Sequence, residues 1–313
     1  MILASLALPA RGPFRRRDGA TLYRFRRVRE PAFCISVPRP GKTAAHEGEA
    51  KLTAQFLSSA LRHDRAIVLL SLAAATLLAW AYLVLGAGIE METMDMGGGQ
   101  MMAMSPEWTP AYGLVVFLMW AVMMVAMMLP SAAPVTLLVL SIARKRREAG
   151  TAAGLSTAPF VFGYLAVWFA FAAVATVLQW RLDAADQLSE MMALASTLVA
   201  GGVLILAGIY QWTPLKQACL RHCRSPLDFI MHHWRDGALG AFVSGARHGV
   251  FCFGCCWMLM ALLFVGGIMN LAWIAAIALL VLIEKTLPWG RRVSQVTGVV
   301  LVAWGVVTLT TAG

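Results

Sequence analysis

Charge is scarce in this chain. Asp, Glu, Lys and Arg make up 13% of its 313 residues, where a soluble domain carries about a quarter. A water-soluble globular protein is thereby excluded and a bilayer is the expected solvent. Cysteine is also sparse, six residues in all, which together with the length rules out a small disulfide-stapled module. There is no Walker loop, nucleophile elbow, HExxH or phosphorylated-aspartate pump signature, so nucleotide-driven pumping within this chain is not expected and neither is enzymatic activity. No repeat of about 20 to 50 residues is evident, which argues against a solenoid or an inverted-repeat transporter. The apolar run at residues 1–8 is too short for a secretory core and its charges follow it, so no cleaved signal is expected.

What the chain has is apolar length: 59% hydrophobic residues and a mean hydropathy of +0.71. A helix crossing the hydrocarbon needs about 20 mostly apolar residues. Seven stretches approach this, at 66–88, 112–143, 159–180, 196–212, 237–266, 269–284 and 293–312. The fourth and sixth are short, so a six-span count is also compatible. Pro130 and Pro134 are expected to kink the second, and the fifth to tilt or break near Gly245 and Gly249. Loop charge gives an independent reading, because short cytoplasmic loops carry excess Lys and Arg. Glu90, Glu92, Asp95 and Glu107 follow the first stretch, and Arg144, Lys145, Arg146 and Arg147 follow the second. The alternation continues through the later loops. Seven spans with the N-terminus inside satisfy every loop, so the expected fold class is an all-α, polytopic membrane helical bundle.

Residues 1–65 form a separate arm, with thirteen Lys and Arg against five acids. Rich in Arg, Pro and Gly and without apolar period, it is expected to be disordered. Leading into a membrane span, it is read as meeting anionic lipid on the cytoplasmic side rather than nucleic acid. Residues 66–313 are the expected transmembrane domain.

Four clusters depart from a plain lipid-facing composition. The first, METMDMGGGQMMAM at 91–104, sets six Met in a Gly-rich outer loop, Met94, Met96 and Met101 among them. Thioether sulfur is a soft ligand that suits Cu(I); the plain alternative is a Met-rich linker. In the second, Met119, Met123 and Met127 form a helical stripe widened by Met124 and Met128, a pattern that packing alone also produces. The third is HGVFCFGCCW, in which His248, Cys252, Cys255 and Cys256 share an arc of about 100° on a helix. Three thiols and an imidazole suit Cu(I) or Zn(II), whereas free Cys beside Gly249 and Gly254 also fits close helix packing. In the fourth, KQACLRHCR, Cys219, His222 and Cys223 share one face of a helix. An amphipathic interfacial helix contacting headgroups through Lys216, Arg221 and Arg224 explains the same string. Arg247 and Glu284 are the remaining intramembrane charges, and their pairing is the economical expectation.

The strings WAVMMVAMMLPSAAP, YQWTPLKQACLRHCRSP and GARHGVFCFGCCWMLM, continuing to GGIMNLAWIAAIALLVLIEK, resemble the bacterial membrane family labelled domain of unknown function 2182, over roughly residues 66–311. That family is described as predicted metal-binding integral membrane proteins. The resemblance implies a multi-pass protein of the bacterial inner membrane and marks Lys216, Trp257, Met269, Asn270, Glu284 and Lys285 beside the Met, Pro and Cys positions. The residues themselves leave two classes open. One is a Cu(I)-handling protein with a ligand chain from the outer Met through the span-two Met and the Cys-His face to the Cys219 site, served by a soluble metal chaperone or a membrane-complex partner. The other is a thiol-redox or assembly component without bound metal. Helical rise sets Met119 to Met128 about 10 to 24 Å, and Cys252 to Cys256 about 15 to 21 Å, below the outer ends of their spans, so the two sets can meet.

Overall fold

The computed structural model describes residues 44–86, 92–95, 101–104, 107–148, 157–189, 192–225, 227, 230–231, 234–235 and 237–311. The chain separates into a short unit, Met1–Thr53, and a long one, Ala54–Gly313. Of the short unit only the start of α1 (Ala44–Val84) is described, and the basic arm up to residue 43 lies outside the described residues.

In the long unit the helices after α1 are α2 (Pro110–Glu148), α3 (Thr157–Asp183), α4 (Thr197–Tyr210), α5 (Pro214–Arg224), α6 (Gly237–Ala261), α7 (Leu263–Gly266), α8 (Leu271–Thr286) and α9 (Gly290–Thr311). The departure from an all-helical chain is a hairpin of β1 (Glu92–Asp95) and β2 (Met101–Met104), antiparallel with Met94 opposite Met102. Among the described residues, five helices are long and apolar enough to cross a membrane, and a sixth span arises if α4 and α5, bent by 63°, count as one broken crossing. The sixth expected stretch, 269–284, becomes α8, whose 16 residues rise only about 24 Å. It starts late because Gly267 turns the chain at φ 91° and Asn270 caps the helix, accepting from the Trp273 amide at 3.1 Å.

One expectation, a break near Gly245 and Gly249, is corrected, and the two prolines lie inside a single helix. Helix α6 runs unbroken through Gly245 and Gly249, and α2 continues through Pro130 and Pro134 as one helix. The glycines of α6 serve approach instead. A methyl on Gly245 would run into the Phe160 carbonyl of α3, and one on Gly163 into the Phe242 carbonyl of α6, so these helices pack backbone to backbone. Helices α4 and α9 pair in the same way: a methyl on Gly208 would stand 2.8 Å from the Gly298 carbonyl oxygen, and one on Gly305 2.8 Å from that of Gly201.

The core lies where α2, α3 and α6 meet. Met119, Trp120, Met123, Met124, Met127 and Met128 are all buried there together with Cys252, Cys255 and Cys256. A buried indole needs an acceptor; Trp120 donates to Gln179 Oε1 at 2.7 Å, and the Gln179 amide donates on to Met192 Sδ at 3.1 Å. The outward faces carry Leu70, Leu77, Leu78, Phe162 and Val174, large apolar side chains that are well exposed, which is compatible with a membrane protein.

The α3 to α6 contact yields a direct expectation. Gly245→Ala lowers stability by about 1 to 3 kcal/mol through overpacking, measured by thermal unfolding in detergent. Gly113→Ala, where a methyl meets open space, leaves stability unchanged. Equal behaviour of the two variants would contradict the contact.

Candidate metal centre

Five thiols approach one another from two helices. Helix α5 begins where Thr213 caps it, its hydroxyl accepting from the Lys216 amide at 3.3 Å, with Pro214 in the first turn. This start, after the 63° bend, lays α5 against α6. Cys223 then lies close to Cys252 and Cys255. Cys219 lies over Gly254, close enough that a methyl there would stand 2.7 Å from its sulfur. On α6, Cys252, Cys255 and Cys256 are each 1% exposed, and the thiols of Cys255 and Cys256 both donate to the Cys252 carbonyl at 3.0 Å. The described cysteines are all free thiols.

Two polar groups close in on Cys252. Lys285 of α8 places its Nζ 2.8 Å from Cys252 Sγ and 3.9 Å from Cys256 Sγ. The same ammonium reaches Ser131 Oγ at 3.4 Å and Met128 Sδ at 4.0 Å on α2. Tyr164 of α3 donates its hydroxyl to the Met128 carbonyl at 3.0 Å, and its oxygen meets Cys252 Sγ at 3.0 Å. Among the described residues no carboxylate pairs with Lys285; sulfur and hydroxyl surround it.

The neighbouring carboxylate points elsewhere. Adjacent residues on a helix diverge by about 100°, and Glu284 meets Lys216 of α5 at 2.8 Å, both groups buried. Lys216 also donates to Gln211 Oε1, and Ser294 of α9 donates to the same oxygen at 3.0 Å. The expected Arg247 to Glu284 pair is therefore corrected: Arg247 is exposed. Depth alone suggested that pair, whereas the bend before α5 brings Lys216 closer.

Other expected ligands sit as follows. His248 is buried, with its ring 5.8 Å from that of Tyr164 and 6.1 Å from that of Phe160. His222 stacks parallel on Phe251 at 4.3 Å, and its Nδ1 bonds the Ala218 carbonyl at 2.9 Å. Met123 and Met127 lie in the same core as the thiols. Met94 and Met101 fall on β1 and β2, so the expected Gly-rich loop is in part a hairpin; Met96 lies outside the described residues. Among the described residues, no group of three or more His, Cys, Asp or Glu side chains stands ready to hold a metal ion. The Lys285 ammonium and the Tyr164 hydroxyl take up the space beside Cys252 that a cation would need. As a donor set, thiols and neighbouring thioethers fit a soft monovalent ion better than a hard one.

Sequence reading missed Tyr164 and the inward aim of Lys285. Both left a signal: a phenol hydroxyl in the middle of an apolar span, and a lysine next to the last acid of one, each need a buried partner.

Residues 117–308 match the profile of a family described as PpoB2, copper chaperone. The match supports a copper-related family, under another name than the resemblance suggested. No curated protein and no solved structure matches the chain.

The Lys216 to Glu284 pair generates an expectation. Lys216→Met leaves Glu284 buried without its cation and lowers stability by about 3 to 5 kcal/mol, while Lys216→Met with Glu284→Met recovers most of the loss. Thermal unfolding of the three proteins checks it; a double variant no better than the single one would contradict the pairing.

Proposed function

The chain belongs to the PpoB2 family of copper chaperones, and from that premise we propose that it is a multi-pass protein of the bacterial inner membrane that binds Cu(I) and hands it on without catalysing a reaction. The observation that carries this reading is the gathering of Cys219, Cys223, Cys252, Cys255 and Cys256 at the α5 to α6 contact, beside a buried methionine stripe.

Copper is cargo here, and the chemistry of its capture follows from the neighbours. Two thiols that take up one Cu(I) release their protons and form a bis-thiolate complex with one negative charge. In an apolar interior that charge needs a counter-ion, and Lys285 supplies it from 2.8 Å away. The ammonium thus has two stations: against Cys252 before loading, and beside the copper thiolate after it. His248 and His222 lie on the same two helices as the thiols, and Cu(I) is favoured over Zn(II) because the neighbouring thioethers suit the softer ion. The reading orients the N-terminus to the cytoplasm, where the basic arm meets anionic lipid. It places the α5 thiols at the cytoplasmic side, where a soluble metal chaperone or a membrane-complex partner would exchange copper. The hairpin methionines, Met94 and Met101 with Met96, would collect the ion outside.

Copper content of protein purified without oxygen and loaded with Cu(I) tests the proposal. The native chain is expected to retain thiol-bound copper, and Cys252→Ala, Cys255→Ala and Cys256→Ala together lower affinity at least tenfold, about 1.4 kcal/mol. Equal loading of the variant would remove the α6 thiols from the site. A chain without copper whose gel mobility depends on reductant would favour the thiol-redox alternative.

A further inference from the structure

A cavity of about 130 Å³ lies apart from the thiols, between the end of α1, the first half of α2 and the turn before α8. Its walls include Met119 and Met123 of α2, Met269 from the turn, and the aliphatic Leu83, Ile268 and Ile274. Met119 and Met123 are 1% and 0% exposed, and Met269 is half-buried.

Methionine is the usual filler of irregular gaps, because its unbranched chain has three rotatable bonds. Three such chains border this space, two of them, Met119 and Met123, packed into the core on their other sides. The cavity exceeds the roughly 30 Å³ share of a single water in the liquid, so an ion stripped of its shell has room beside the methionine side chains. None of the lining residues offers a carboxylate, imidazole or thiol, so hard cations and Zn(II) find no ligand there. The turn that carries Met269 is held in place by the Asn270 cap and by Trp273, whose indole donates to the Leu262 carbonyl at 2.7 Å.

The route onward is short. Met123 and Met127 stand one helical turn apart, about 6 Å along α2, and Met128 beside them is the thioether that Lys285 touches at 4.0 Å. We infer that this cavity is a second, thioether-only site for a soft monovalent cation, a waiting position from which the ion passes along α2 to the thiols. The inference deepens the proposed Cu(I) role and rests on it for the identity of the ion.

Silver, as Ag(I), is the probe. The full chain in detergent is exposed to Ag(I), desalted, and its silver content measured per chain, for the native protein, for Met119→Leu with Met123→Leu and Met269→Leu, and for Cys252→Ser with Cys255→Ser and Cys256→Ser. Leucine nearly conserves the volume of methionine, so the fold is expected to hold. The methionine variant retains about one Ag(I) fewer than the native chain and binds Zn(II) unchanged. The cysteine variant loses silver of its own yet keeps that ion. Equal silver in the native chain and the methionine variant overturns the inference. Native silver content in the cysteine variant overturns the thiol reading instead and leaves the methionine difference standing. Should the triple methionine variant aggregate, Met269→Leu alone is read by the rate at which free methionine strips silver from it: faster loss than from the native chain supports the site, and an unchanged rate overturns it.

Discussion

An ammonium group inside an apolar bundle costs several kcal/mol unless something answers its charge. Lys285 meets that condition without a carboxylate. Its partners are the Cys252 sulfur at 2.8 Å, the Cys256 sulfur at 3.9 Å and the Ser131 hydroxyl at 3.4 Å. Three helices must therefore converge on one point, with α2 supplying the hydroxyl, α6 the thiols and α8 the lysine. Helix α3 joins them through Tyr164, which bridges the Met128 carbonyl and the Cys252 sulfur. The contact that draws these helices together also leaves the ammonium beside the thiols that are proposed to take up the ion.

A second buried charge fixes what the first leaves free. Glu284 follows the helical rotation away from Lys285 and meets Lys216, and Gln211 and Ser294 complete that network. Together the two lysines set the rotation of α8 and the seating of α5. With α5 seated, Cys219 and Cys223 have no choice but to face α6 at Gly254, Cys252 and Cys255. The glycine contacts do the same work between α3 and α6, where only the absence of a side chain at Gly163 and Gly245 lets Tyr164 come within reach of Cys252.

The thiol face of α6 was legible in the sequence because helical spacing is rigid: Cys252, Cys255 and Cys256 share an arc, and all three turn inward as that arc implies. The methionine stripe of α2 was legible for the same reason, and its burial beside the thiols follows the depth arithmetic. What spacing cannot encode is how helices meet. Arg247 and Glu284 looked like partners because both lie toward one end of their spans, but the bend at Thr213 and Pro214 returns α5 to the bundle and gives Glu284 to Lys216. The span count suffered from the same gap. Hydropathy saw apolar stretches at 196–212 and 269–284, whereas the caps at Thr213 and Asn270 decide where those helices stop and start. Tyr164 was overlooked, and Lys285, marked by the resemblance, was given no partner, because each is a single polar residue, meaningful only once a neighbour from another helix is known.

The central claim is that sulfur from α5 and α6 surrounds the copper that this chain is proposed to carry. X-ray absorption at the copper edge of the Cu(I)-loaded, detergent-purified protein reads that shell directly. The expected result is a low-coordinate Cu(I) site whose nearest neighbours are sulfur. A nearest shell of nitrogen or oxygen would contradict it and leave the thiols as packing around a buried lysine.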